Sequence, residues 1–176
     1  PRKILLNSWE GVYFDINQQG MDQMMADIAS MGGELFVMDD GWFGDKYPRK
    51  NDSSSLGDWV VDKNKLPNGI EGLLSDAKKH GVKFGIWIEP EMANTTSELY
   101  EKHPDWVLKA SERDVVLGRG GTQVVLDLAN PAVQDFVFGV VDNLMTSYPE
   151  IDYIKWDANM SVQNHGSQYL TKDNQS

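Results

Sequence analysis

The stretch Tyr153-Ile154-Lys155-Trp156-Asp157-Ala158-Asn159 reads as a buried strand that ends in a carboxylate. Side chains on a strand alternate faces, so Lys155, Asp157 and Asn159 share one side. A carboxylate beside a fixed ammonium stays ionised at neutral pH, ready to attack an electrophilic carbon or to stabilise a cation. The rival reading is a structural ion pair at a strand end. Just upstream, Asn130-Pro131 has the form of an N-cap followed by proline at the first helical position. Val133, Phe136, Val137, Val140, Val141 and Leu144 then mark one apolar helix face. Helix, apolar strand, acid is the unit from which the rest of the chain can be read.

The unit recurs. Lys3 to Trp9 reads as a strand, and Met21, Met24, Met25 and Ile28 lie on one helix face closed by Gly32-Gly33. Leu35 to Met38 is a second strand, followed at once by Asp39-Asp40-Gly41-Trp42-Phe43-Gly44. A long polar segment over about 45–68 comes next, the kind of loop that tends to be functional. Ile70, Leu73, Leu74 and Ala77 mark the second helix, with Gly81 past its end. Val82 to Ile88 is a third strand that runs into Glu89-Pro90-Glu91-Met92. Thr95-Thr96-Ser97-Glu98 has capping-box spacing and starts a short third helix that Pro104 ends. Trp106 to Leu117 reads as a hairpin or excursion, and Val124 to Leu128, containing Asp127, as a fourth strand. After the helix at 131–144 comes the fifth strand, Ile151 to Trp156, and the tail from about 161 is polar and reads as frayed or irregular.

Apolar strands alternating with amphipathic helices imply a parallel sheet covered by helices. Acids and aromatics gather at the strand ends, where α/β barrels keep their chemistry. An open doubly wound sheet has the same polarity, but no glycine-rich phosphate loop of dinucleotide or P-loop form is present. Five strands and four helices make little more than half of a (β/α)8 TIM barrel. The expectation is therefore the N-terminal part of a barrel, residues 1–176, with the rest supplied by a longer parent chain.

Bulk properties narrow the partners. The 176 residues suffice for one domain with a real core, and a net charge of −11 disfavours nucleic acid and anionic membranes. No apolar run approaches the roughly 20 residues that span a bilayer. The absence of cysteine excludes disulfides and thiol chemistry within this stretch. His80, His103 and His165 are scattered, and the first two sit near predicted helix C-termini, so a histidine zinc site is not expected.

Six motifs in order then carry a resemblance: Ile4-Leu5-Leu6-Asn7-Ser8-Trp9-Glu10 with Tyr13-Phe14; Asp39 to Gly44; Gly57-Asp58-Trp59; Gly85-Ile86-Trp87-Ile88-Glu89-Pro90-Glu91-Met92; Leu126-Asp127-Leu128; and Lys155 to Asn159. Together they resemble the catalytic barrel of glycoside hydrolase family 36, the microbial α-galactosidases, over roughly residues 4–160. The resemblance implies a retaining double displacement, with a carboxylate nucleophile and a second carboxyl group about 5 Å away as acid/base. Carried over by motif, Asp157 is the nucleophile, and Asp39 and Asp40 grip sugar hydroxyls. Trp87 is an aromatic of the sugar pocket, Arg119 in Gly118-Arg119-Gly120-Gly121 contacts hydroxyls, and Lys155 and Asn159 are polar contacts around the nucleophile. Trp9, Trp42 and Trp59 are candidates for the pocket wall or for packing, and Glu89 and Glu91 look like supporting acids. No metal or organic cofactor is implied. The implied partners are galactose-containing oligosaccharides such as melibiose and raffinose, and the parent is expected to be a homo-oligomer.

The family's acid/base aspartate lies on a later strand, past Asp157. Its cysteine- and glycine-rich sugar-contacting segment and its flanking β domains are likewise not in these residues. The 176 residues alone are expected to be inactive. Galactosyl transfer and action on an N-acetylgalactosaminide share the mechanism and remain open. Two readings from other classes stand beside these: a Mg²⁺ barrel enzyme built on Asp39, Asp40, Glu89, Asp127 and Asp157 with Lys155 as base, and a non-catalytic sugar-binding fragment.

Overall fold

The computed structural model describes residues 2–110, 112–163 and 165–175. Pro1, Ser176, Ser111 in the 106–117 excursion and Asn164 in the polar tail lie outside the described residues. The architecture is α/β and its main sheet is parallel, with four strands in the order β1 (Leu5–Asn7), β2 (Leu35–Met38), β3 (Lys83–Ile88) and β6 (Ile151–Trp156). Trp9 falls beyond the first strand, in a single helical turn, α1 (Trp9–Val12).

Period-two alternation decides what each face of this sheet does. Phe36, Met38, Phe84, Ile86 and Ile88 point to one side and are at most 1 % exposed. There they meet Met21, Met25 and Ile28 of α2 (Gln18–Ser30) and Ile70, Leu73 and Ala77 of α3 (Gly69–His80). Burial of each such side chain stabilises by about 1.5–3 kcal/mol, which outweighs the weak intrinsic preference of Met and Ile for these elements. On the other face, Asn7, Val37, Gly85 and Tyr153 lie in one row across the four strands. A Cβ on Gly85 would sit 3.0 Å from the Tyr153 backbone oxygen and from Val37 Cγ2, so this row closes tightly only because that position is glycine. Two residues further along each strand comes the row that carries the chemistry.

The helix signals are realised in detail. Asn17 caps α2 by accepting from the Gly20 N–H at 2.8 Å. Gly32 takes φ +80°, and the Gly33 N–H returns to the Ile28 carbonyl, a Schellman closure. Ser97 caps α4 (Glu98–Lys102), and Pro104 opens a 3-10 turn at Pro104–Trp106. Asn130 caps α5 (Pro131–Ser147), accepting from the Ala132 N–H. The last turn of α3 carries Lys78, Lys79 and His80, and His80 meets Asp22 of α2 at 2.6 Å.

One expectation is corrected and one is narrowed. The segment read as a fourth strand of the parallel sheet, Val124–Leu128, is instead a short strand, β5 (Gln123–Val125), paired antiparallel with β4 (Met92–Asn94) in a separate two-stranded sheet. The edge of β3 that it was expected to occupy is taken by β6, from Phe84↔Ile151 to Ile88↔Trp156. Apolar content marks a strand but not its partner. The tail is irregular but not frayed. Ser167 Oγ donates to Asp127 Oδ2 at 2.6 Å, and Gln168 and Gln175 donate to backbone carbonyls of Val107 and Leu170.

The long polar segment is equally well fastened. Arg49, 1 % exposed, donates to both carboxylate oxygens of Asp40, to the Ser54 carbonyl and to Asn94 Oδ1. Lys65 Nζ donates to three backbone carbonyls, of Phe14, Gly41 and Arg49. Leu56 and Leu66 are fully buried beneath it.

Candidate active site

Trp9, Asp39, Trp87 with Glu89, and Lys155 with Asp157 and Asn159 continue the inward row through and past the ends of β1, β2, β3 and β6. Each follows its strand's inward residue by an even number of positions, so the sheet aims all of them to the same side. They line a cavity of about 150 Å³, joined there by Asp40, Asp52 and Arg119. All seven residues assigned above to the nucleophile and the sugar contacts thus line one cavity: Asp39, Asp40, Trp87, Arg119, Lys155, Asp157 and Asn159. A larger groove of about 830 Å³ is lined by residues of α3, α4 and α5 with Trp59, but includes none of the strand-end acids. The chemistry belongs to the smaller space.

Asp157 extends the sheet by one more bond, its N–H donating to the Ile88 carbonyl at 2.9 Å. Its Oδ2 accepts the Trp87 indole N–H at 3.0 Å. Desolvation pushes the carboxyl up, but hydrogen bonds from Asn159 and Trp87 and the charge of Lys155 overcome it, and the net shift is downward. The site therefore holds an ionised carboxylate, as anticipated, though the fastening differs. The Lys155 ammonium is bonded to Asp39 Oδ2 at 2.6 Å, and Trp87 and Asn159 hold Asp157. Trp156 points away, as alternation demands, and donates to Glu91.

The adjacent acids splay apart. Asp39 Oδ1 accepts the Asp40 N–H while its Oδ2 takes Lys155, and Asp40 turns to the buried Arg49 with distances of 2.9 and 2.7 Å. Gly41 at φ +114° makes this turn, with space for a Cβ blocked by the Phe14 backbone at 3.0 Å. Burial pushes the Asp40 carboxyl up and Arg49 opposes it.

Trp87 is 2 % exposed and stacked on Phe43 at 6.2 Å, so what it offers the cavity is its N–H edge. Trp9, half-buried and braced edge-on by Tyr13 and Phe14, is the aromatic with surface left to offer a sugar. Trp42 donates to the Trp87 carbonyl, and Trp59 packs at 6.1 Å from Trp87, so both support the wall from behind. Glu89, 2 % exposed, accepts the Asn159 N–H at 2.6 Å. Burial, reinforced by the charges of Asp157 and Asp40, pushes its carboxyl up to about 7.

Sequence reasoning named Asp40 and Arg119 but missed the partners that hold them, Arg49 and Asp52. Asp52 lines the cavity, meets Arg119 Nη1 at 3.3 Å and Arg49 Nη2 at 3.5 Å, and was hidden in the polar segment. Its own carbonyl accepts from Asn94, Thr122 and Gln123, which ties that segment to the glycine-rich loop carrying Arg119. Asp127, one of the acids considered for Mg²⁺, does not line the cavity and is engaged by Ser167 and the Ala129 N–H. With Asp39 on Lys155 and Asp40 on Arg49, the proposed magnesium ligands do not converge. Among the described residues, no group of three or more His, Asp or Glu side chains is arranged to hold a metal ion, and no helix is long and apolar enough to cross a membrane.

Comparison with known proteins gives the family. The melibiase family model matches residues 1–176. A probable α-galactosidase C of Aspergillus oryzae is 46% identical over 168 residues, which are 92% of this chain and 22% of that protein. The α-galactosidase AgaA of Geobacillus stearothermophilus is 44% identical over 174 residues, 99% of this chain and 23% of its own length. Its crystal structure superimposes with a TM-score of 0.91, and a variant of it has been solved in complex with raffinose. The α-galactosidase TtGalA of Thermus thermophilus, at 26% identity, gives a TM-score of 0.72 over 88% of this chain and 30% of that one. The chain thus spans about a fifth to a quarter of the length of the bacterial and fungal relatives it matches. Matched by this family model along its whole length and by these relatives over nearly all of it, the chain belongs to the melibiase family, the glycoside hydrolase family 36 α-galactosidases.

Proposed function

We propose that these residues form the nucleophile-bearing part of a retaining α-galactosidase that releases terminal α-linked, mainly α-1,6, galactose from oligosaccharides such as melibiose and raffinose. The observation that carries the proposal is Asp157: an ionised carboxylate at a strand end, held by Trp87 and Asn159, in a cavity of about 150 Å³ lined with hydroxyl-binding groups. Asp157 attacks the anomeric carbon as the glycosidic bond breaks and an acid from elsewhere in the protein protonates the departing sugar oxygen. The same group then takes a proton from the water that hydrolyses the galactosyl ester and frees the Asp157 carboxylate. Lys155, Asp39, Asp40, Arg119 and Asn159 orient the sugar, and Trp9 offers an aromatic face to its C–H side. The complex of AgaA with raffinose supports this substrate class, as does another with stachyose.

Glu89 does not take the part of acid/base in this proposal. It lies on the strand next to Asp157, aimed to the same side, and its Oε1 is occupied by the Asn159 N–H. A general acid has to reach the leaving-group oxygen across the scissile bond. Residues 1–176 are accordingly the first part of a barrel whose acid/base comes from elsewhere in the protein, and on their own they are inactive. The full-length protein works as a homo-oligomer on sugars, with neither nucleic acid nor membrane as partner.

The test is hydrolysis of 4-nitrophenyl α-galactoside by the full-length protein beside its Asp157→Ala variant. Turnover that the substitution abolishes, with activity returned by added azide as a galactosyl azide, supports Asp157 as nucleophile. Turnover that survives it refutes the assignment.

A further inference from the structure

Asn159 connects two acids. Its backbone N–H donates to Glu89 Oε1 at 2.6 Å, and its side chain lies near enough to both carboxyls to draw their pKa down. Glu89 directly follows β3 and Asp157 directly follows β6, strands paired from Phe84↔Ile151 to Ile88↔Trp156, and the segment Asp157-Ala158-Asn159 continues from the sheet there. Beyond the Asp157 N–H bond to Ile88, Glu89 gives this turn its next anchor. The carboxyl is rigidly presented: it is 2 % exposed and Pro90 follows it. From this geometry we infer that Glu89 is a positioning residue for the galactosidase reaction, fixing the Asp157 carboxylate through Asn159. The inference rests on the function proposed above.

The charges around Glu89 say in which form it does this. Asp157 lies on one neighbouring strand, Asp39 and Asp40 end the other, and Asp52 lies on the rim. Lys155 and Arg119 are the cations of the cavity, and they are bonded to Asp39 and Asp52. With burial pushing it up to about 7, Glu89 is about half protonated at neutral pH and mostly protonated a unit below it. A neutral carboxyl still accepts the Asn159 N–H through its carbonyl oxygen, and it adds no second negative charge beside the nucleophile. The role needs a buried acceptor of fixed length and no charge, which glutamine also supplies.

The experiment compares Glu89→Ala and Glu89→Gln in the full-length protein, with 4-nitrophenyl α-galactoside across pH 4 to 9. Loss of the anchor in E89A displaces the reacting carboxylate, and kcat falls by roughly 10²-fold with KM changed far less. Without the Asn159 donor the Asp157 pKa rises, so the acid limb of kcat/KM moves toward neutral pH in E89A. E89Q recovers most of the lost kcat and returns the acid limb to its wild-type position. An E89A protein with the wild-type acid limb and an unchanged kcat overturns the inference, as does an E89Q protein no better than E89A while still folded by circular dichroism. Asp157→Ala in the same series separates the two failures. If it abolishes turnover, an unresponsive Glu89 refutes the positioning role alone. If it does not, the proposed function falls and the positioning role with it.

Discussion

The cavity has two walls made in different ways. The strand-end wall, Asp39, Trp87, Glu89, Lys155 and Asp157, is aimed by the pleat of the sheet, and its members reach one another through single hydrogen bonds of 2.6–3.0 Å. The rim, Asp40 with Arg49, and Asp52 with Arg119, is assembled from loops and held by ion pairs, the first across nine residues and the second between distant segments. In the first wall the backbone ladder sets position and the side chains tune charge. In the second the side chains set position. Substitutions in the strand wall should therefore change the reaction while leaving the fold, and those in the rim should change the fold first.

The largest effect expected from the strand wall is that of Asp157→Ala. Removing the group that forms the covalent bond costs at least about 10³-fold in kcat. The Trp87 N–H loses its partner, but the ladder bond from the Asp157 backbone is kept, so the melting temperature should shift by only a few degrees. A variant that instead unfolds would show that the strand wall is also built by its side chains.

On the rim the expected balance is reversed. Arg49→Ala leaves the Asp40 carboxylate buried at 4 % exposure with no cation, and strips donors from Asn94 and the Ser54 carbonyl. Breaking a buried pair this way costs about 3–5 kcal/mol. Urea unfolding should show a lowered midpoint, with loss of activity following loss of fold. Arg49→Ala protein of normal stability but lowered kcat would erase the contrast between the walls.

This contrast also explains what could be read from the sequence. Asp39, Trp87, Lys155 and Asp157 were legible because a period-two pattern, an apolar strand and its terminal acid are all local, and α2, α3 and α5 were legible from their apolar faces and caps. Arg49 and Asp52 were not, because nothing within ten residues of either foretells Asn94 or Arg119. The pairing of Val124 with Ala93 in place of a β3 neighbour escaped for the same reason: a strand's partner is chosen by packing and by which edge is free. Glu89 was recognisable as an acid at a strand end, but its protonation depends on burial that only the assembled neighbours create.

Glu89 gives the third prediction, a dependence of stability on pH. In the unfolded chain its carboxyl ionises near 4.5, whereas in the fold it keeps its proton to about 7. The folded state therefore binds more protons across that interval, and stability falls as pH rises from 4.5 to 7, then levels off. The whole contribution is up to about 3 kcal/mol. Glu89→Gln cannot titrate, so its stability relative to wild type should climb through the same window and stay high above it. A difference that is flat in pH would mean that Glu89 is ionised in the fold, and the neutral acceptor argued for it would be lost.

The smallest effect belongs to the outer edge of the rim. Asp52 and Arg119 pair at 3.3 Å with their side chains 39% and 38% exposed, and Arg119 sits at φ +46° on a glycine-rich loop. Exposed pairs contribute about 0.2–1 kcal/mol, so Asp52→Asn should hardly change the melting temperature. Its consequence is orientational. The Asp52 backbone carbonyl, with three donors, is unaffected by the substitution, so the loop stays fastened while the Arg119 guanidinium loses its charged partner. If Arg119 contacts the sugar, KM should rise by roughly two- to fivefold with kcat nearly constant, in line with a contact of that strength. Arg119→Ala should raise KM further, and adding Asp52→Asn to it should change little more, because the Arg119 guanidinium is gone and Arg49, 3.5 Å from Asp52, is held by Asp40 at 2.7 Å. Additive effects in that cycle would mean that Asp52 meets the substrate directly, and the rim would then take part in recognition on the same terms as the strand wall.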